Sequence, residues 1–175
     1  MNNYGAPLGS TWESMDLWAE EWNVNMLTGV RVAQGLSPGM VERGWGRIVF
    51  LGTVGSRRPG VANAGYYGAK AGLHGVVRSL AQSLRGSGVT CNLVSPGMIA
   101  TDEIRAMVRR RATAAGAGDT WDDAERWALQ HTMRNLTGRL ATPRDIATVV
   151  AFVASEVAGH VNGADVAVDG GTLDA

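Results

Sequence analysis

Three consecutive segments decide the fold: Ile48-Val49-Phe50-Leu51-Gly52-Thr53, then Ala64-Gly65-Tyr66-Tyr67-Gly68-Ala69-Lys70, then Val89-Thr90-Cys91-Asn92-Leu93-Val94-Ser95-Pro96-Gly97. The first is a short continuous apolar run closed by glycine, which predicts a strand buried on both faces. The second opens a long stretch of helical periodicity, residues 64–84, reached through a loop over 53–63. The third is rich in β-formers over 89–94 and is stopped by Ser-Pro-Gly. Strand, helix and strand in that order predict a parallel α/β sheet.

Working outward, the apolar positions Trp18, Trp22, Met26, Gly29, Val32 and Leu36 recur at helical spacing and predict one long amphipathic helix over 15–40. Ser10-x-x-Glu13 has the form of a capping box, although Ser14 is an equal candidate for the helix start. Asn25 falls on or beside the buried stripe. Downstream, residues 101–134 are polar, Arg- and Ala-rich and punctuated by Gly116 and Gly118, which predicts one or two loosely packed helices with Trp121 and Trp127 as apolar anchors. Pro143, followed by Asp145, opens a helix to about 157. A strand over 161–168 and the turn Asp169-Gly170-Gly171 close the chain.

Composition limits the function. The chain has 175 residues, enough for one domain with a real core. Sixteen basic and sixteen acidic residues cancel. The only cationic run is Arg109-Arg110-Arg111, so no footprint for nucleic acid or an anionic membrane stands out. The single cysteine, Cys91, excludes an internal disulfide framework, and His74, His131 and His160 lack metal-ligand spacing, so no metal site is expected. No basic-then-apolar leader opens the sequence and no apolar run is long enough to span a bilayer, so a cytoplasmic location is expected. Glycine supplies 24 of 175 residues, about twice the usual share. Many glycines stand where apolar segments end, as tight turns between strands and helices require.

Tyr66 and Lys70 are four residues apart on the second long helix, so their side chains lie on one face, one turn apart. A free tyrosine titrates near pH ~10 and is a poor acid or base at neutral pH. A neighbouring ammonium is expected to lower that pKa toward the range a general acid/base needs. The same helix carries Gly68, Gly72 and Gly75, each costing about 1 kcal/mol relative to alanine in a helix interior. This glycine stripe predicts a face closely approached by a neighbour.

Several segments, in order over nearly the whole chain, resemble the short-chain dehydrogenase/reductase family, most of all its 3-oxoacyl-carrier-protein reductase branch. The family's Tyr-x-x-x-Lys is matched by Tyr66 and Lys70, and its active-site serine position by Thr53. Its Asn-Asn-Ala-Gly resembles Asn2-Asn3-Tyr4-Gly5, and its helix-embedded asparagine falls on Asn25. Its Asn-x-x-x-Pro-Gly and following threonine are matched by Asn92 to Gly97 and Thr101. Later segments appear as Gly138-Arg139, Pro143-Arg144-Asp145-Ile146-Ala147 and Val168-Asp169-Gly170-Gly171.

The resemblance implies the C-terminal part of a Rossmann-type doubly wound sheet, about four strands with flanking helices. A single truncated domain would fill residues 1–175, with a substrate lid over 101–137. It implies hydride transfer between NAD or NADP and a secondary alcohol or ketone, with Tyr66 as general acid/base. Lys70 would tune the phenol and hold the nicotinamide ribose, Thr53 would hydrogen-bond the carbonyl, and Asn25 would hold a water. Asn2, Pro96, Gly97, Ile99 and Thr101 would complete the cofactor site. It further implies a homo-oligomer assembled through the two long helices. No Gly-x-x-x-Gly-x-Gly turn follows a strand, so the sequence is expected to begin at the family's fourth strand. The alternative is a non-catalytic module that pairs with a full-length relative.

Overall fold

The computed structural model describes residues 1, 3 and 5–172. An N-terminal segment without regular structure leads into α1 (Met15–Trp22), a π-helical segment (Asn23–Leu27) and α2 (Thr28–Glu42). Then follow β1 (Gly46–Leu51), a 3-10 turn (Val54–Arg57), α3 (Ala64–Ser83) and β2 (Val89–Pro96). The chain continues through α4 (Asp102–Ala114), α5 (Trp121–His131), α6 (Pro143–Val153), a 3-10 turn (Glu156–Ala158) and β3 (Asp165–Val168).

The strands form one parallel sheet in the order β1-β2-β3, with Gly46 opposite Val89 and Leu93 opposite Asp165. Both faces are covered, as the unbroken apolar runs require. Phe50, Cys91 and Leu93 face Ala69, Leu73 and Val77 of α3, while Val49 and Val94 face Ile146 and Val153 of α6. Three strands are present among the described residues rather than about four. Upstream of α1 the described residues include Gly5, Pro7 and Gly9, with Gly5 and Gly9 at positive φ, and none joins the ladder.

The long helix departs from its predicted stripe. Trp18 and Trp22 touch α3, and Met26 and Gly29 are buried, but Val32 and Leu36 are exposed and Ala33 is buried instead. The π turn over 23–27 accommodates an extra residue, which rotates every later position relative to a regular α-helix. The proposed cap at Ser10 is also corrected. Ser14 occupies the N-cap position without a side-chain capping bond, and Ser10 is fully buried elsewhere.

The region after β2 forms two helices with their own small core. Val108, Ala112, Ala124 and Ala128 are buried there against Ile104, Met107, Trp121 and Trp127. Thr101 and Thr120 cap the two helices, and the Arg105 guanidinium lies 4.2 Å from the Trp121 ring centre. Near the C-terminus, α6 opens on a reciprocal cap between Thr142 and Asp145 and ends at Val153, short of residue 157. β3 begins at Asp165 rather than 161 because Gly163, at positive φ, turns the chain just before it.

Candidate active site

The loop after β1 and the first turn of α3 bring Thr53 and Tyr66 to one cleft of about 420 Å³. Val54, Gly55 and Tyr67 line it beside them, Gly97 and Met98 come from the end of β2, and Asp169 comes from the turn after β3. Ile104, Met133 and Leu140 close it from the α4–α5 side. All of these loops lie at the carboxyl ends of parallel strands, where an open α/β sheet has its natural crevice. A larger depression of about 710 Å³ lies at the far end of α3, between Arg78, Arg85 and Asn162. It shares no residue with the cleft.

Thr53 stands in extended backbone at the start of the 3-10 turn, and its Oγ1 accepts a hydrogen bond from the Gly55 N–H at 3.2 Å. The Thr53 hydroxyl proton is therefore left to point elsewhere. Gly55 lies under Tyr67, whose ring would be 3.0 Å from any Cβ added there. Ser56, the other hydroxyl in this loop, donates to the Thr53 carbonyl at 2.8 Å and is turned back on its own turn.

Lys70 and Asn25 lie behind the cleft and are buried. The Lys70 ammonium donates to the Leu51 carbonyl at 2.9 Å, which ties α3 to the end of β1, and lies 5.8 Å from the Tyr66 ring centre. Burial lowers its pKa to about 8. The expected depression of the tyrosine pKa is not found. Burial first, then Tyr67 and Glu21, push the Tyr66 phenol up to about 12, and an ammonium that is itself desolvated does not reverse this. Tyr66 is thus held as a protonated phenol through neutral pH.

Asn25 sits inside the π turn, a local geometry frequent at functional sites. Its amide donates to the Ala6 carbonyl at 3.0 Å, and its Oδ1 is buried with no hydrogen-bond partner among the described residues. Gly5 makes this approach possible, since a Cβ there would collide with that oxygen.

Of the remaining expected residues, Pro96, Ile99 and Thr101 do not line the cleft. Pro96 is buried at the end of β2, Ile99 bridges to Ala141, and the Thr101 hydroxyl accepts from the Ile104 N–H. Gly97 does line the cleft, but it is glycine because Asp169 backs onto it: the Asp169 Cα would lie 2.8 Å from any Cβ added at this position. Asn2, and with it Tyr4, lies outside the described residues. Sequence reasoning missed Tyr67, Met98, Met133 and Asp169 as lining residues, and it missed the buried Glu21–Ser10 pair beside α3. A glutamate on a stripe of Trp18, Trp22 and Asn25 was the available signal for the last. Among the described residues no cluster of metal-ligating side chains occurs, and no helix is long and apolar enough to cross a membrane.

A parallel sheet covered on both faces, with a Tyr-x-x-x-Lys helix opening at its carboxyl edge, defines a Rossmann-type α/β protein. The chain belongs to the short-chain dehydrogenase/reductase family: a family model described as enoyl-(acyl carrier protein) reductase matches residues 5–172. The 3-oxoacyl-[acyl-carrier-protein] reductase MabA of Mycobacterium tuberculosis is 39% identical over 150 residues, covering 85% of this chain and 54% of that protein. The acetoacetyl-CoA reductase of Allochromatium vinosum is 32% identical over 173 residues, covering 98% and 64%. Among solved structures, L-sorbose reductase of Gluconobacter frateurii, complexed with NADPH and L-sorbose, superposes with a TM-score of 0.85 at 26% identity, covering 99% of this chain and 65% of that one. The chain spans between about half and two thirds of the length of these relatives.

Proposed function

We propose that this chain carries the catalytic part of an NAD- or NADP-dependent oxidoreductase that interconverts a ketone and a secondary alcohol. The observation that carries the reading is the cleft shared by Thr53 and Tyr66, with the Lys70 ammonium buried directly behind the tyrosine. The MabA relative is named as a 3-oxoacyl-[acyl-carrier-protein] reductase, and the L-sorbose reductase was solved with NADPH, which supports both the reaction class and the cofactor class.

The residues fit a nicotinamide at this edge of the sheet. Lys70 uses one of its donors on Leu51 and keeps others for a ribose, and the partnerless Asn25 oxygen suits a bridging water. Pro96, Gly97, Ile99 and Thr101 would flank the ring. When bound, the nicotinamide supplies or accepts the hydride. Tyr66, raised toward pH 12, keeps its proton until a developing alkoxide takes it, so it serves carbonyl reduction as a general acid. Thr53 donates its free hydroxyl proton to the same oxygen, which steadies the charge that develops there. The serine-to-threonine change keeps that donor and adds a stiffer χ1. Residues 101–137 act as the lid, with Ile104 and Met133 facing the substrate.

The test is ketone-dependent NAD(P)H oxidation by the purified protein. Tyr66→Phe should reduce kcat by at least ~100-fold, the usual worth of a positioned acid. Thr53→Ser should keep near-normal turnover and Thr53→Ala should lose most of it. Undiminished turnover in Tyr66→Phe would refute the assignment.

A further inference from the structure

Among the described residues, Glu21 is the only carboxylate side chain with no exposed surface. It lies on α1, one helical turn before Asn25. Its Oε1 accepts from the Leu8 N–H at 2.6 Å, and its Oε2 accepts from the Ser10 hydroxyl, itself fully buried. Ser10 Oγ in turn accepts from the Gly65 N–H at 2.8 Å. That N–H belongs to the first turn of α3, immediately before Tyr66. Gly65 is shaped to this contact, because an added Cβ would lie 2.6 Å from Glu21 Oε2, 3.1 Å from Ser10 Oγ and 3.1 Å from the Trp18 Cα.

A buried charge is costly, and an apolar side chain of similar volume often packs as well or better. Its three hydrogen-bonding groups make this one a connected device rather than an isolated polar atom. We propose that Glu21 and Ser10 are positioning residues for Tyr66: through Ser10 the carboxylate clamps the first turn of α3, and it sets a negative charge near the phenol. The charged or titratable groups around Tyr66 are Tyr67 and Lys70 on α3, Glu21 on α1, and Asp169 across the cleft. Of these, Glu21 and Tyr67 oppose ionisation of the phenol, in the same direction as burial. The clamp and the charge are properties of the folded chain, and only the kinetic consequence rests on the reading of Tyr66 as proton donor.

Two variants separate the clamp from the charge. Ser10→Ala keeps the carboxylate and breaks the relay, so hydrogen exchange at the Gly65 amide should speed up roughly tenfold or more relative to amides late in α3. Glu21→Gln keeps the shape and removes the charge. In it, ionisation of Tyr66 should move to lower pH, read as tyrosinate absorbance after a rapid pH jump and corrected with the same variant carrying Tyr66→Phe. Unchanged Gly65 exchange in Ser10→Ala overturns the clamp, and unchanged Tyr66 ionisation in Glu21→Gln overturns the role of the charge. If Glu21→Gln does not fold, Ser10→Ala alone decides the clamp, and the charge is read instead from Glu21→Met, an uncharged side chain of similar volume, in which Tyr66 ionisation should likewise move to lower pH and an unchanged ionisation overturns the role of the charge. In the reductase assay, Ser10→Ala should lower kcat roughly ten- to a hundredfold with KM within about twofold, as expected of a misplaced catalytic group. Faster Gly65 exchange with an unchanged rate, in an enzyme that Tyr66→Phe still disables, overturns the positioning role, whereas an active Tyr66→Phe overturns the proton-donor reading itself.

Discussion

At the site, two side chains are moved from their ordinary pKa values by the same cause. Burial lowers Lys70 to about 8 and raises Tyr66 to about 12, and each shift is also a statement about stability. For Lys70 the folded pKa lies below the unfolded value of 10.5. Between about pH 8 and 10 the unfolded chain therefore binds a proton that the folded chain has released, and folding gains stability as pH rises. Cys91, pushed up to about 12 by burial, and Tyr66 act in the opposite direction above pH ~9. Both groups are kept in Lys70→Met, so their contribution largely cancels when the two proteins are compared. Relative to Lys70→Met, the wild type should gain stability with a slope approaching ~1.4 kcal/mol per pH unit between pH ~8 and ~10, measured by urea unfolding. A flat difference across that window would mean the ammonium is not buried. The Tyr66–Lys70 pairing was legible from spacing alone. The direction of the tyrosine shift was not, because spacing places the two groups side by side but says nothing of how much water each loses.

The elements show the same division. The runs Ile48–Leu51 and 89–94 announced strands because a segment buried on both faces has no polar positions to obscure its pattern. The helix over 15–42 was legible as a helix and misread in its phase, since a π turn leaves periodicity intact on either side of it. The glycines of α3 were legible as a stripe but not as a set of different contacts. Gly68 lies under Trp22, a Cβ added at Gly72 would lie 3.0 Å from the Met26 sulfur, and one added at Gly75 would meet nothing within 4 Å. Gly65 was not included in the stripe, yet it is the most confined of the helix's glycines. Two opposite substitution effects follow. Gly75→Ala should stabilise the isolated chain by up to ~1 kcal/mol, the helix-propensity difference with no steric cost. Gly65→Ala should destabilise it by roughly 2 kcal/mol or more, because backbone of α1 and two buried polar atoms stand in the way. Denaturant midpoints of the two variants, compared below any association concentration, check both signs.

For the molecule as a whole, two kinds of surface can bring copies together. β1 and β3 each pair only with β2 among the described strands, so the outer edge of each offers unpaired backbone groups. On the α3 face of the sheet, Val30, Ala33, Val76 and Leu80 line an apolar groove between α2 and α3, with Gly75 open at its rim. The expectation of a homo-oligomer through the long helices belongs to that second surface. A helix–helix contact made there across a twofold axis would be self-complementary and would close as a dimer, whereas edge pairing of strands has no such limit. Close helix packing needs a small residue at the crossing, and Gly75 supplies it. Gly75→Arg should therefore convert a discrete dimer to monomer in sedimentation velocity while leaving far-UV circular dichroism unchanged, since nothing in the fold occupies the space its side chain would enter. Association that persists in Gly75→Arg, and that grows with concentration without a limiting size, would locate self-association at the sheet edges and remove the long helices as the interface.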